Sequence, residues 1–134
     1  MKSEATIIIC GQSVKMRYCA AAETGYESLS GNSISVFTPT FGKDDDGNDI
    51  VKEPAKATMG DFLTLAIASI VAAYAKDGKD APISSEDILY DATPEEITLL
   101  ITTVVALRAE WYHVPSVIGK EMEEKTEDSD PKNA

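Results

Sequence analysis

Two short segments of the chain alternate apolar and polar residues with the period of two that is typical of a β-strand. They cover residues 5–10 and 13–18 and flank Gly11-Gln12. Gly at the first central position is what a two-residue type II′ turn requires, so these segments predict a hairpin in which Cys10 faces Ser13. One face of this hairpin then collects six side chains: Ala5, Ile7, Ile9, Val14, Met16 and Tyr18.

The next forty residues give less regular patterns. Residues 19–29 contain good helix formers, which predicts a short helix ending at the following Ser-Gly-Asn. Residues 33–37 alternate and are rich in β-formers, which favours a third short strand before Pro39. Residues 38–57 are polar and contain two prolines, so we expect a flexible loop or a mobile hairpin there.

The most apolar segment of the chain predicts a long helix over residues 59–76. Thr58 and Asp61 stand at the N-cap and N3 positions of a capping box at its start. Apolar residues cover almost the whole circumference of this helix, which is typical of a helix buried on most sides. The sequence leaves two alternatives open, a central helix wrapped by the other elements or a subunit interface.

Two further helices are predicted after this segment. Ser84 or Ser85 caps a short helix over residues 86–90. The sequence Thr93-Pro94-Glu95-Glu96 then supplies an N-cap, a proline at the first helical position and an acidic first turn. Apolar residues follow at spacings of three and four, so the last helix is expected to be amphipathic and to cover residues 94–112.

These elements predict an α+β fold in one domain. The 134 residues suffice for a single core. We expect an N-terminal β-hairpin, with up to three short strands, packed against a mainly helical C-terminal part within residues 1–118. Residues 119–134 contain six acidic residues and one large apolar residue, which predicts a disordered acidic tail.

The net charge of the chain argues against two classes of binding partner, nucleic acids and membranes. Twelve Lys and Arg against 23 Asp and Glu give a net charge of -11. This charge repels phosphate backbones and anionic lipid headgroups, so neither a nucleic acid nor a membrane is an expected partner. No segment is apolar enough to span a bilayer or to form a signal peptide. We therefore expect a cytoplasmic protein in which Cys10 and Cys19 are reduced thiols.

Candidate chemistry is sparse in this sequence. The single histidine, His113, falls at a predicted helix end, where capping explains it. The acidic segment 44–53 matches some positions of a calcium-binding EF-hand loop, but the first ligand position would be Gly42, which has no side-chain oxygen. A solvated acidic turn is the better interpretation. We predict no catalytic residue, no metal site and no cofactor, and hence a protein that is not an enzyme.

The order of these features resembles a known family, the tail assembly chaperones of long-tailed bacteriophages, which are found also in prophages. The resemblance covers roughly residues 5–115. Its motifs are a hairpin with a Gly-containing turn, a Tyr-Glu helix, a long apolar helix and a last helix closed by Trp: Ile9-Cys10-Gly11-Gln12-Ser13-Val14, Arg17-Tyr18, Glu23-Thr24-Gly25-Tyr26-Glu27, residues 61–74, residues 83–89 and Ala109-Glu110-Trp111-Tyr112.

This resemblance implies a non-enzymatic binding protein of virion assembly. It would bind the long helical tape-measure protein in the bacterial host cytoplasm, recruit tail-tube subunits and leave before the tail is complete. In many such systems a frameshift also produces a longer form, and a homo-oligomer is possible. An alternative function is a structural virion protein, such as a tail-completion or connector protein of a prophage, which stays in the particle.

Such a chaperone needs apolar surface for helix-in-groove contact and an excess of like charge for solubility. The two long predicted helices provide the apolar surface. We select five partner-binding candidates from them, each of which is also a candidate core residue: Phe62, Ile70, Tyr74, Leu107 and Trp111.

Overall fold

The computed structural model describes residues 3–113 and shows an α+β fold, as predicted. The predicted acidic tail over residues 119–134 lies outside the described residues. The elements in chain order are β1 Ser3–Ile9, β2 Gln12–Tyr18, α1 Ala20–Ser30, a 3₁₀ turn Ile34–Phe37, β3 Thr40–Lys43, β4 Asp49–Glu53, α2 Met59–Ala75, α3 Ser85–Asp91 and α4 Pro94–Tyr112. The strands form two separate antiparallel pairs, β1 with β2 and β3 with β4.

The N-terminal hairpin is confirmed, but its predicted register is wrong by two residues. Ile9 pairs with Gln12 and Ile7 with Val14, so the turn is Cys10-Gly11 and not Gly11-Gln12. Both turn residues have positive φ, 52° for Cys10 and 77° for Gly11, which is the conformation of a type I′ turn. A shift of two residues leaves every side chain on its predicted face, because the period of a strand is two.

The segment between α1 and β3 differs from the prediction. Residues 33–37 do not form a third strand beside the hairpin; Ser33 caps the 3₁₀ turn instead, and its Oγ accepts the backbone N–H of Ser35. Within this turn Phe37 is buried in the core. A local side-chain hydrogen bond thus replaces the ladder that the alternating pattern suggested.

Residues 38–57 contain the predicted hairpin, formed by β3 and β4. Every residue of β4 is exposed, and neither strand packs extensively against any other helix or strand. Phe41 pairs with Val51 across the two strands, and both side chains are exposed. This second hairpin therefore projects from the domain.

Helices α2 and α4 start where the sequence predicts, and α3 starts one residue earlier, at Ser85. Each begins with a complete capping box, in which the N-cap side chain accepts the N3 backbone N–H and the N3 carboxylate accepts the N-cap N–H. The pairs are Thr58 with Asp61, Ser84 with Asp87, and Thr93 with Glu96. Helix α4 ends at His113, which adopts the left-handed conformation of a C-cap residue.

Helix α2 is the centre of the fold and contacts α1, β2 and α4. Leu65 and Ala66 of this helix are completely buried. The first of the two alternatives for this segment, a central helix wrapped by the others, is therefore what the structure shows. The apolar face of the N-terminal hairpin covers α2 and contributes Ile9, Val14, Met16 and Tyr18 to the core.

Candidate functional site

Two of the five predicted contact residues belong to the core. Ile70 is 1% exposed and Leu107 is 6% exposed, so both side chains are buried in this structure. The reason is that α2 and α4 pack on each other and turn these side chains inward. Both residues thus belong to the hydrophobic core.

Phe62 and Tyr74 are half-buried, and each has a structural partner. The ring of Phe62 packs edge-to-face on Phe37 at a centroid distance of 5.0 Å. The hydroxyl of Tyr74 accepts the backbone N–H of Lys15 at 3.0 Å, and the Lys15 ammonium lies 5.3 Å from the Tyr74 ring centroid. These contacts fix both ends of α2 to neighbouring elements.

Trp111 belongs to an aromatic cluster that holds the end of α4. Its ring lies 5.5 Å from that of Tyr18 and 4.9 Å from that of Tyr112. The hydroxyls of Tyr18 and Tyr112 both donate to Oε2 of Glu23, the first of them at 2.7 Å. Burial, followed by the Glu23 carboxylate, raises the pKa of Tyr18 far above its ordinary value. This cluster joins α4 to β2 and α1.

An open groove of about 680 Å³ lies beside α2. Its walls come from the end of α1, one face of α2, the segment 79–85 and α3. Three large apolar side chains on these walls are exposed: Leu29 by 60%, Val71 by 53% and Leu89 by 59%. An exposed cluster of this kind marks a binding surface more often than scattered single residues do. We call this feature the α2–α3 groove.

The floor of the α2–α3 groove is buried and apolar. Ile70, Ile83 and Ile88 line it, and all three belong to the hydrophobic core. Of the five predicted contact residues, Ile70 is the one that the groove includes, but as part of its floor. Because the floor is packed into the core, the shape of the groove is held by the folded domain.

The two long sides of the α2–α3 groove differ in charge. The side formed by α2 carries no charged lining residue; Thr64, Ile67 and Val71 line it. The segment 79–89 contributes Lys79, Asp80 and Asp87 to the lining. The exposed Glu86 is not a lining residue, but it lies in the same first turn of α3 as Asp87. One side is therefore apolar and the other has a negative balance.

The sequence does not reveal this groove, because the exposed side chains that line it come from three segments far apart along the chain. Leu29 ends one helix, Val71 lies late in α2, and Leu89 lies in a seven-residue helix. The available signal was the all-round apolar character of α2. A helix of that kind in a small domain has more apolar positions than its neighbours cover, and Val71 is the large one left exposed on the groove side.

The acidic segment 44–49 forms the turn between β3 and β4. Oδ1 of Asp44 accepts the backbone N–H of Asp46 at 3.0 Å and of Asn48 at 2.8 Å, which is the self-stabilised geometry of an Asx turn. Within residues 3–113, no three His, Cys, Asp or Glu side chains converge so as to hold a metal ion.

Both cysteines are free thiols and are half-buried. Burial, together with the nearby Glu96 carboxylate, raises the pKa of the Cys10 thiol. A thiol with a raised pKa is a poor nucleophile at neutral pH. Cys10 lies in the turn of the first hairpin, and its Sγ lies 3.8 Å from the carbonyl oxygen of Asp87.

Comparison with known proteins adds no relative. The chain matches no protein-family model, no curated protein and no solved structure. In the described part of the chain, no helix combines the length and the apolar character needed to cross a lipid bilayer.

Proposed function

We propose that this protein is a tail assembly chaperone of a bacteriophage or prophage, a non-enzymatic protein that binds the tape-measure protein in the host cytoplasm and recruits tail-tube subunits. The α2–α3 groove is the observation that carries this proposal. It provides an open apolar surface on a rigid floor, as a protein that binds helices requires.

The energetics of the groove suit repeated, reversible binding. Leu29, Val71 and Leu89 are each more than half exposed in the free protein. Complete burial of such a side chain contributes about 1.5 to 3 kcal/mol. Part of this gain is offset by the loss of translational and rotational freedom on association. A weak site of this type suits a chaperone that coats a long helical partner and later leaves it.

A second exposed surface and the net charge also support this proposal. An assembly chaperone contacts two kinds of partner, and the exposed Phe41 and Val51 lie on β3 and β4, outside the residues that line the groove. The net charge of -11 opposes aggregation of a protein with two apolar surfaces.

Co-purification with the tape-measure protein tests this function. The affinity-tagged chain is co-expressed with the very long helical protein encoded in the same gene cluster, and the complex is isolated at physiological salt. We expect the two proteins to co-purify and the tape-measure protein to precipitate without its partner. Recovery of the chain alone, beside a tape-measure protein that stays in solution unaided, would contradict the proposal.

Mass spectrometry of purified tails separates this function from that of a structural virion protein. A chaperone is expected in the lysate and absent from finished particles. A tail-completion or connector protein is expected in the particles at a fixed number of copies per tail, and its detection there would favour the alternative function.

A further inference from the structure

We infer that the α2–α3 groove binds an amphipathic α-helix that carries Lys or Arg along one flank of its apolar stripe. This inference rests on the proposed function and specifies the chemistry of the segment that the protein recognises. It follows from three properties of the groove: its exposed apolar residues, its rigid floor and the difference in charge between its two sides.

The apolar residues are arranged for a helix. Three exposed apolar side chains line the groove from three elements: Val71 from α2, Leu89 from α3 and Leu29 from the end of α1. A helix places its apolar side chains in a stripe of residues three and four apart, and such a stripe fills a groove between two walls. The backbone of a helix is satisfied internally, so it can lie on an apolar floor without leaving polar groups unpaired.

The charge of the α3 side defines the polar flank of the bound helix. Asp80 and Asp87 line this side together with a single base, Lys79, and the exposed Glu86 lies in the same first turn of α3 as Asp87. Asp87 uses Oδ2 to accept the backbone N–H of Ser84, and its second oxygen is available to a cation. A helix with Lys or Arg on this flank pairs with the carboxylates, whereas a helix with Glu on this flank is repelled.

The whole-chain charge favours a basic occupant over a second copy. Each copy carries a net charge of -11, so two copies repel each other at long range. A basic helix is attracted by the same field, which increases its association rate at low salt. The occupant is therefore a different chain with positive charge along one side of a helix.

Binding of two matched peptides tests this inference. Both are labelled amphipathic helices of about 20 residues, long enough to form a helix, with the same leucine stripe. One carries Lys along a flank of the stripe and the other carries Glu. We expect the Lys peptide to bind the full-length chain at least about tenfold more tightly than the Glu peptide, by fluorescence anisotropy, and its binding to weaken with added salt. Equal binding of the two peptides would overturn the charge assignment.

Three variants locate the site. Val71→Glu and Leu89→Glu place a carboxylate on each wall of the groove and are expected to weaken the Lys peptide at least about tenfold. Val105→Glu is the matched control, because Val105 is a helical valine of α4 with 44% exposure that lies outside the groove. Circular dichroism confirms that each variant is folded. Loss of binding in Val105→Glu but not in Val71→Glu or Leu89→Glu would place the peptide elsewhere and overturn the proposal.

Charge reversal tests the same flank from the side of the protein. The double variant Asp80→Lys/Glu86→Lys is expected to reverse the preference, so that the Glu peptide binds more tightly than the Lys peptide. Asp87 is retained because it caps α3. Sedimentation of the wild-type chain tests whether a second copy of this chain, and not a basic helix, occupies the groove. A dimer that Val71→Glu converts to a monomer would show that a second copy fills the groove.

The failure of this inference and the failure of the proposed function are distinguishable. If wild type co-purifies with the tape-measure protein and Val71→Glu and Leu89→Glu do so equally well, the groove assignment is wrong and the function stands. If wild type does not co-purify with the tape-measure protein while the Lys peptide still binds the groove, the function is wrong and the groove assignment stands.

Discussion

The backbone N–H of Cys10 donates a hydrogen bond of 2.9 Å to Oε2 of Glu96, a residue 86 positions further along the chain. The other carboxylate oxygen of Glu96, Oε1, accepts the backbone N–H of Thr93 at 2.9 Å. One side chain thus closes the capping box of α4 and holds the turn of the N-terminal hairpin. This connection fixes the start of the last helix against the first two strands.

We predict that Glu96→Ala lowers the melting temperature more than Glu95→Ala does. Both substitutions remove a carboxylate from the first turn of α4, so the loss of a favourable interaction with the helix dipole is shared. Only the first also removes the acceptor for two backbone N–H groups. Thermal unfolding followed by circular dichroism measures the difference. Equal melting temperatures in the two variants would show that the hydrogen bonds of Glu96 contribute nothing to stability.

The same carboxylate makes stability depend on pH in a defined direction. The backbone N–H groups of Thr93 and Cys10 lower the pKa of Glu96, and the backbone N–H of Thr58 and the Tyr26 hydroxyl lower that of Asp61. A carboxyl group whose pKa is lower in the folded state stabilises the fold above its unfolded pKa. This contribution is lost as pH falls through the folded pKa.

We therefore expect the melting temperature of wild type to fall on acidification through the acidic range, and the gap between wild type and Glu96→Gln to narrow there. Glu96→Gln lacks the Glu96 carboxyl group but keeps Asp61. The contribution of Asp61 is common to both proteins, so it cancels in the difference between their melting temperatures. The measurement is a series of melting curves from about pH 7 to about pH 3. A gap that stays constant over this range would show that ionisation of Glu96 does not contribute.

The conformation of Cys10 predicts opposite effects for two substitutions. With φ of 52°, Cys10 occupies the first left-handed position of a type I′ turn, for which Asn before Gly is strongly preferred. Cys10→Asn is expected to raise the free energy of unfolding by about 0.5 to 1 kcal/mol, because a left-handed conformation strains most other residues. Cys10→Val is expected to lower it, since a β-branched residue is least tolerant of positive φ. Urea unfolding under reducing conditions measures both, and destabilisation by Asn as large as that by Val would contradict this account.

The same turn explains why the sequence predicted the strands of the first hairpin but not their register. The Gly11-Gln12 pair favours a type II′ turn, which requires Gly at its first central position. The structure places Gly11 second, because Cys10 accepts a left-handed conformation and its N–H gains the Glu96 carboxylate as a partner. That partner lies in α4, so no local pattern contains it. The buried face was predicted correctly because the error in register is an even number.

The helices were predictable because their start signals are local. Thr58, Ser84 and Thr93 each find their capping partner three residues later, within the same turn. The candidate site was not predictable in this way. Leu29, Val71 and Leu89 come together only when α1, α2 and α3 pack. Packing of the helices also buries Ile70 and Leu107, which the apolar pattern had indicated as contact residues.

We predict that removal of Glu23 destabilises the fold more than removal of the Tyr18 hydroxyl with which it is hydrogen-bonded. Tyr18 is 1% exposed and its hydroxyl donates to Glu23, so Glu23→Ala leaves a buried donor without its acceptor. We expect a loss of about 1 to 3 kcal/mol for this variant and a smaller loss for Tyr18→Phe, which removes the donor as well.

A double-mutant cycle measures this coupling by chemical denaturation. The double variant Tyr18→Phe/Glu23→Ala is expected to be less destabilised than the sum of the two single variants. Tyr112→Phe is the control, because Tyr112 donates to the same carboxylate from an exposed position and should cost less than Glu23→Ala. Additive losses within experimental error would mean that the two side chains are not coupled.

We predict that the β3–β4 hairpin is locally less stable than the helical core around α2. A two-stranded hairpin with little packing against the rest of the fold is marginally stable in water, and every residue of β4 is exposed. We expect the amides of β3 and β4 to exchange with solvent through local opening that costs little free energy, while Leu65 and Ala66 in α2 exchange only on global unfolding. The backbone amides of Lys56 and Ala57 should again be protected from exchange, because they donate to the carbonyl oxygen of Val36 at 3.0 and 2.9 Å. Hydrogen exchange of the full-length chain by NMR resolves these groups. Protection of β4 equal to that of α2 would show that another surface covers this hairpin in solution.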